Sequence, residues 1–198
     1  ENSLWKGQSL YELFKQAYTP WEWHKPIMLK AKELGMLCFS SPFDNSAVNF
    51  LEDLNVPAYK IASSEIIHLP LIKKVASTGK PLIISTGMAS ISEINEAVLA
   101  AREYGCGQLT LLKCTSSYPA SPSEINLNTI SHMRDLFECE VGLSDHTLGI
   151  GTAIAAVALS ATVIEKHFTL DRSLPGPDHK ASLEPEELRA MVVAIRNI

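Results

Sequence analysis

The sequence predicts an α/β fold in which a parallel sheet closes into a (β/α)8 TIM barrel. Six short β-rich runs alternate with amphipathic helical stretches, at a spacing of roughly 20 to 30 residues that matches a βαβ unit. Continuous apolar runs such as LIIS and LTLL indicate strands buried on both faces, hence a parallel sheet covered by helices. Polar residues follow every run, whereas a doubly wound sheet needs them only at its switch point.

The predicted elements begin with a helical segment at 9–35. The strands are expected at LCFSSPF (37–43), AYKIASSE (58–65), PLIISTGM (81–88), LTLLKCTSSYP (109–119), EVGLSDH (140–146) and VIEKHFTL (163–170). The helices between them are expected at 46–55, 69–79, 90–105, 126–137 and 149–161. Ser90, with Glu93 three positions later, predicts a capping box at the start of the third of these helices, and Gly105 predicts its end.

The domain organisation is expected to be one partial catalytic barrel covering residues 1–198. The chain opens on Glu1 rather than methionine and enters an amphipathic pattern at once. We therefore expect the natural protein to begin earlier, with two N-terminal βα units of the barrel preceding this sequence.

Composition narrows the class of protein. A content of 46% hydrophobic and 20% charged residues is ordinary for a globular domain, and the net charge of −5 provides no basic field for a nucleic acid. No apolar run approaches the roughly 20 residues that span a membrane. The four cysteines form no CxxC pair, which favours reduced, structural thiols and a cytoplasmic setting. They are Cys38, Cys106, Cys114 and Cys139.

Two histidines follow neighbouring predicted strands. His146 ends GLSDH and His167 lies in IEKHFT one βα unit later, so a barrel would point both imidazoles into one mouth. Such a pair is a common start for a divalent-metal site, completed by water, substrate or a carboxylate. The available carboxylates are Asp145, Glu165 and Asp178. The alternative is that each histidine only satisfies backbone groups at its strand end.

Lys60 lies near the end of an apolar strand, where a lysine is costly unless it faces an anion or an acid. One interpretation pairs it with Glu65. The other places Lys60 on a phosphate or carboxylate and Glu65 on a sugar hydroxyl or a transferring proton. Lys113 is similarly placed, and because a desolvated lysine can form a Schiff base, both lysines leave a lysine aldolase open.

Hydroxyl side chains recur at the strand ends and would supply neutral donors for an anionic ligand. They are Ser41, Ser63, Ser85, Thr115, Ser116 and Ser144. Each alone fits a helix cap or turn, but together they exceed what caps require. Neither a GxGxxG nor a GxxxxGK[ST] motif occurs, so nucleotide binding has no support.

At these motifs the sequence resembles the sialic acid synthase family, whose members condense phosphoenolpyruvate with an N-acylated hexosamine to make nine-carbon keto acids. The motifs are FSSPFD, YKIASSE, ISTGM, LLKCTSSYP, GLSDHT, IEKHFTLD and PGPDHKASLEP. TPWEWH, PAYKIAS and KCTSSYPASPSEINL look most like the pseudaminic acid synthase branch. PGPDHKASLEP is more similar to the N-acetylneuraminate and N,N'-diacetyllegionaminate synthases, so the acceptor sugar stays open.

The resemblance implies site roles and a cofactor. A manganese or magnesium ion would lie on His146 and His167. Phosphoenolpyruvate would contact Ser41, Lys60, Ser63, Ser85, Ser116 and Ser144, although the family usually has Asn in place of Ser116. The acceptor sugar would meet Glu65, Tyr118 and Asp178, and the catalytic set would be Lys60, Glu65, His146, His167 and Asp178.

The resemblance also implies a C-terminal antifreeze-like (SAF) domain after this sequence, which would reach the active site of a partner subunit in a domain-swapped homodimer. Two other functions stay open. One is another barrel aldolase, using either a lysine or a metal, and the other is a non-catalytic sugar-binding barrel.

Overall fold

A computed structural model describes residues 9, 11–12, 15, 18–176 and 178–198. The first complete helix, α1, spans Trp21–Glu33 and begins after Pro20. Helix α1 confirms the second half of the predicted segment 9–35, and residues 11, 12 and 15 of its first half are also helical. Several residues of its first half lie outside the described part of the chain.

The sheet contains five strands, all parallel. They are β1 (Tyr59–Ile61), β2 (Leu82–Ser85), β3 (Leu109–Cys114), β4 (Glu140–Asp145) and β5 (Ile164–Lys166). Each strand pairs with the one before it along the chain, in the order β1-β2-β3-β4-β5. This order, with no reversal, is that of a barrel rather than of a doubly wound sheet.

The curvature of the sheet also favours a barrel. β1 and β5 are its two edge strands, and four inter-strand spacings of about 4.8 Å would separate them by roughly 19 Å if the sheet were flat. Instead, Lys60 Nζ of β1 lies 3.3 Å from Glu165 Oε2 of β5. The prediction of a parallel, helix-covered sheet is confirmed, while closure with eight strands stays a prediction.

Seven helices are described. They are α1 (Trp21–Glu33), α2 (Asn45–Asp53), α3 (Leu69–Ala76), α4 (Ile91–Glu103), α5 (Thr129–Phe137), α6 (Gly151–Ala158) and α7 (Pro185–Ile195). Short 3-10 turns lie after β1, β3 and β5, at Ser63–Glu65, Pro122–Glu124 and His179–Ala181. Helices α2 to α6 confirm the five predicted between the strands. The predicted capping box joins Ser90 and Glu93, and Gly105, after α4, adopts φ +90°.

The first predicted strand, at 37–43, is wrong as a strand. Its pairing reduces to one parallel bridge between Ser40 and Tyr59. Leu37 is 81% exposed and Phe39 39% exposed. Among the described residues, the Lys60 N–H donates to the Ser40 carbonyl oxygen at 3.4 Å, and Pro42 has no N–H with which to extend the pairing into a ladder.

The main core lies between the outer face of the sheet and the helices. Alternate strand residues, including Tyr59, Ile61, Leu82, Ile84 and Leu111, point outward and are buried. They belong to one cluster with apolar side chains of α2 to α6. The inner face of the sheet carries Lys60, Ser85, Ser144 and Glu165 beside apolar residues such as Ile83 and Leu112. None of the described helices has the length and apolarity required to cross a bilayer.

Candidate active site

One row of side chains crosses the inner face near the carboxyl ends of the strands. Cys114 of β3 is in register with Ser144 of β4, and Ser144 with Glu165 of β5. Residues in register on neighbouring parallel strands share a face, and the contact of Glu165 with Lys60 identifies it as the inner one. The inner face therefore carries a cation, a carboxylate, a thiol and a hydroxyl.

Glu165 links the two edges of the sheet through its carboxylate. Oε2 lies 3.3 Å from Lys60 Nζ, and Oε1 accepts a hydrogen bond of 2.7 Å from Ser144 Oγ. The predicted alternative that Lys60 pairs with Glu65 is wrong, because Glu65 follows β1 on a 3-10 turn and accepts a hydrogen bond from Ser64. Lys60 therefore has the acid that its buried position requires, but on a distant strand.

The two histidines are neighbours, as predicted. Their ring centroids lie 5.3 Å apart, and the ring of Tyr118 lies 4.1 Å from that of His146. His146 Nδ1 is 2.9 Å from the carbonyl oxygen of Thr115. His167 Nδ1 is 3.8 Å from Asp178 Oδ2. Four of the predicted site residues are thus brought together at the ends of β3, β4 and β5.

The electrostatics of the two imidazoles differ. Burial disfavours the charged form of His146, but contacts with Cys114 and the Thr115 carbonyl outweigh it and raise its pKa. Burial dominates at His167 and lowers its pKa. Burial, with the nearby Cys114 and Asp178, raises the pKa of Tyr118 to about 12. The lowered pKa of His167 favours its neutral form, which has a lone pair available to a cation.

Two serines meet at Gly87, after β2. The backbone N–H of Gly87 donates to Ser63 Oγ at 3.1 Å. A Cβ at position 87 would collide with Ser116 Oγ and lie 3.1 Å from Cys114 Sγ. Glycine at this position lets the two serine hydroxyls approach the backbone without being displaced, which gathers Ser63 and Ser116 beside the row of Cys114 and Ser144.

Ser85 and Ser41 complete the predicted hydroxyl set in different ways. Ser85 is 2% exposed, and its Oγ has no hydrogen-bond partner among the described residues. Ser41 lines a cavity of about 650 Å³ together with Lys60 and Glu165. An orphaned buried hydroxyl and an open cavity beside a lysine are features that an anionic ligand would satisfy.

Lys113 lies outside this group. It precedes Cys114 on β3, so side-chain alternation turns it to the outer face of the sheet, where its Nζ donates to Thr115 Oγ1 at 2.5 Å. Burial lowers the pKa of Lys113. The prediction that Lys113 is placed similarly to Lys60 is therefore wrong, because the two lysines lie on opposite faces of the sheet.

A metal ion would find part of a ligand set here. The contact of His146 Nδ1 with a carbonyl oxygen supports the ring through one nitrogen, as in many ligating histidines. Its Nε2 has no hydrogen-bond partner among the described residues and could bind a metal. Within the described ranges no group of three or more His, Cys, Asp or Glu side chains has the geometry to hold a metal ion. The two imidazoles fit a divalent cation that takes its other ligands from water or substrate.

The structure places two residues in the site that the sequence analysis did not single out, Cys114 and Glu165. Cys114 was predicted to be a structural thiol, but its Sγ lies 4.0 Å from His146 Nδ1. Burial opposes its ionisation, but His146, Ser63 and Ser144 together lower its pKa to about 7. Glu165 was only one of three available carboxylates. Counting alternate residues back from the strand ends would have placed both on the inner face.

Known proteins provide an independent comparison. The model of the NeuB family matches residues 1–198. The chain is 48% identical to the N,N'-diacetyllegionaminic acid synthase of Campylobacter jejuni over 177 residues, 88% of this chain and 53% of that protein. It is 43% identical to the pseudaminic acid synthase of Helicobacter pylori over 196 residues, 99% of this chain and 58% of that protein.

A solved structure agrees with both sequence matches. The crystal structure of an N-acetylneuraminic acid synthetase from Leptospira borgpetersenii, in complex with citrate, superimposes with a TM-score of 0.91 at 34% identity. The superposition covers 97% of this chain and 68% of the Leptospira borgpetersenii chain. The chain spans only just over half of the two curated relatives. Because the family model matches the whole sequence and the fold matches that of a solved synthetase, the chain belongs to the NeuB family.

Proposed function

We propose that the chain carries the catalytic barrel of a nonulosonic acid synthase, which condenses phosphoenolpyruvate with an N-acylated hexosamine and releases phosphate. The observation that carries the proposal is the convergence on one face of Lys60, Ser144 and Glu165 with the pair His146 and His167. A cation with hydroxyl donors suits a phosphorylated carboxylate, and the neighbouring imidazoles suit an aldehyde activated by a metal.

The acceptor sugar is the finer part of the proposal. We favour the pseudaminic acid synthase branch, whose substrate is a diacetamido-trideoxy-hexose, on the motifs TPWEWH and KCTSSYP. N-acetylneuraminate and N,N'-diacetyllegionaminate synthesis are the alternatives. Identities of 43% and 48% to synthases of two different sugars do not separate the branches.

In the proposed reaction, the chain's own residues bind and orient the two substrates. Lys60 and the hydroxyls of Ser63, Ser85 and Ser144 would hold the phosphate and carboxylate of phosphoenolpyruvate, which fixes its C3 against the sugar aldehyde. The new C–C bond forms there, water then adds to C2, and the C–O bond to phosphate breaks. Ser116 would add a further donor beside Ser63.

Residues around the histidines would handle the sugar. Tyr118 packs its ring on His146, and the Asp178 carboxylate lies beside His167, so both are close to the position of the aldehyde. Glu65, on the turn after β1, is the candidate for a sugar hydroxyl or for the proton of the attacking water. A bound Mn²⁺ or Mg²⁺ on His146 and His167 would supply Lewis-acid polarisation of that aldehyde.

The test is a phosphate-release assay of the full-length protein with phosphoenolpyruvate, Mn²⁺ and a panel of acceptors. The panel holds N-acetylmannosamine and the diacetamido-trideoxy-hexoses of the pseudaminate and legionaminate routes. We expect release with the pseudaminate precursor and its loss in EDTA. Release with N-acetylmannosamine alone would contradict the branch, and release with none of them would contradict the function.

Borohydride separates the remaining enzyme alternative. A lysine aldolase would form a covalent adduct on Lys60 when reduced in the presence of a keto acid. We expect no adduct, because the ammonium of Lys60 is paired with Glu165. Lys60→Met is the matched control for any adduct that does appear.

A further inference from the structure

A second ion pair lies on the outer face of the sheet, directly behind the two histidines. Asp145 is the last residue of β4 and directly precedes His146. Lys166 is the last residue of β5 and directly precedes His167. Asp145 and Lys166 are in register. Lys166 Nζ lies 2.7 Å from Asp145 Oδ2, with the lysine side chain 3% and the aspartate side chain 0% exposed. The two strand ends that carry the histidines are thus joined immediately before each histidine.

The pair also fixes the chain on the far side of His146. Asp145 Oδ1 accepts hydrogen bonds from the backbone N–H of Thr147 at 2.9 Å and from its Oγ1 at 2.7 Å. Lys166 Nζ donates to the carbonyl oxygen of Thr147 at 2.6 Å. His146 is therefore flanked by two residues that are bound to each other and to β5. This is more than a salt bridge between side chains, because it holds backbone groups.

Stability alone is a weak reason for such a pair. Desolvation of two buried charges offsets most of their attraction, and apolar replacements of both partners are often tolerated without loss of stability. The bonds to Thr147 instead restrain the backbone immediately after His146. Groups that hydrogen-bond to metal ligands and orient them typically change metal affinity by about 10- to 100-fold when removed. Asp145 and Lys166 act through the backbone beside the ligands, so we expect an effect at the lower end of that range.

We propose that Asp145 and Lys166 are positioning residues that hold His146 and His167 at the separation and orientation needed to ligate one divalent cation. The inference rests on the part of the proposed function in which His146 and His167 bind a metal ion. Its own content is the geometry of the two rings, which can be measured with or without a metal.

The test compares one single and one double variant of the full-length protein. Lys166→Met leaves Asp145 buried and uncompensated, so we expect the Tm to fall by roughly 10 °C. Asp145→Asn combined with Lys166→Met removes both charges and keeps the Oδ1 acceptor for Thr147, so we expect most of the Tm to return. Mn²⁺ affinity, measured from the EPR signal of free Mn²⁺, should stay about tenfold or more below that of the parent in both.

Lys80→Met is the matched control, because it breaks an ion pair of the same length, 2.7 Å to Glu52, far from the histidines. It should leave Mn²⁺ affinity unchanged. If affinity returns together with Tm in the double variant, the pair has only a structural role and the inference is overturned. If the parent protein binds no Mn²⁺, the metal part of the proposed function fails, and imidazole ¹⁵N NMR decides the inference.

In that NMR measurement, we expect His146 of the parent to hold one tautomer, with Nδ1 protonated toward the Thr115 carbonyl oxygen. The double variant should show a mixture of tautomers. A double variant with the parent's single tautomer would overturn the inference independently of any metal.

Discussion

At the scale of single residues, Glu165 connects the part of the site that we assign to the anionic substrate with the part that we assign to the metal. Its carboxylate contacts Lys60 and Ser144, which we assign to the anionic substrate, and it lies two positions before His167. A buried lysine needs a counter-charge before any substrate arrives, and Glu165 provides it. An incoming phosphate or carboxylate would then compete with Glu165 for the same ammonium.

Lys60→Met tests that assignment. Since charged hydrogen bonds contribute about 1.5 to 3 kcal/mol, we expect phosphoenolpyruvate to bind roughly 10- to 100-fold more weakly. Isothermal titration of the full-length protein measures the dissociation constant, with Lys80→Met as the control for loss of a lysine elsewhere. Unchanged binding by Lys60→Met would remove this residue from the anion site.

Cys114 provides a pH-dependent prediction. With its pKa lowered to about 7 by His146, Ser63 and Ser144 against the effect of burial, the thiolate forms well below the ordinary pH for a cysteine. In EDTA, the rate of iodoacetamide labelling of Cys114 should rise with a midpoint near pH 7. Mass spectrometry of the labelled peptide measures it.

The control for this prediction is His146→Phe, which removes the main contact that favours the thiolate. The midpoint should then move upward. Cys106 and Cys139 should label slowly throughout, because burial raises the pKa of both thiols. A Cys114 profile with its midpoint near the ordinary cysteine value would contradict the assigned contacts.

At the scale of elements, the start of α4 is held by a reciprocal cap. The backbone N–H of Ser90 donates to Glu93 Oε2 at 2.7 Å, and the Glu93 N–H donates to Ser90 Oγ at 3.3 Å. Ser90→Ala should lower the free energy of unfolding by about 1 kcal/mol. Urea denaturation measures it, and the exposed Ser92→Ala on the same helix should be neutral. Equal effects of the two substitutions would refute the cap.

Strand β4 has a position where only glycine fits. A Cβ at Gly142 would collide with the carbonyl oxygen of Val163 and lie 2.8 Å from Leu112 Cδ2. The carbonyl cannot easily move, because it accepts the N–H of Leu143 at 2.8 Å. Gly142→Ala should therefore destabilise by about 1 to 3 kcal/mol.

The control for Gly142→Ala is Gly151→Ala at the start of α6, where no atom lies within 4 Å of the added Cβ. Thermal denaturation should show little change for it. A Gly142→Ala protein as stable as the parent would mean that β4 and its neighbours are spaced more widely than described.

Local patterns predicted the elements well where they depend on neighbours in sequence. The third predicted helix was delimited correctly by Ser90, Glu93 and Gly105, since capping and left-handed residues act within one turn. The strand at 37–43 failed because a ladder needs partners that periodicity cannot supply. Helix α7 was not predicted, although Pro185 and the reciprocal cap of Glu184 with Glu187 mark its start.

At the scale of the whole molecule, the site was predictable in part. Strand-end spacing sufficed to bring His146 and His167 together. The contact of Lys60 with Glu165 was not predictable, because it joins the two edges of the sheet and depends on the curvature of all five strands. The side of the sheet on which Lys113 lies was predicted wrongly for a related reason. That side follows from the register of β3 with β4 and not from the distance of Lys113 to the strand end.

The share of the relatives that this chain covers leads to a prediction about activity. The chain spans 58% of the Helicobacter pylori synthase, and the resemblance predicts that a complete active site also needs two further βα units and a SAF domain. We therefore expect the 198-residue chain by itself to release no phosphate from phosphoenolpyruvate, whereas the full-length protein does. Clear turnover by the isolated chain would contradict this division of the site.

The uninterrupted strand order also has a consequence for how the molecule forms. Each strand pairs with the one synthesised just before it, so every step closes a loop of only about 20 to 30 residues. A chain leaving the ribosome can add one βα unit at a time, without waiting for a distant segment. The bond between Lys60 and Glu165 is the exception, since it closes only after β5 has emerged. Among the described strands, the inner face is therefore joined across the sheet only after the first four strands have paired.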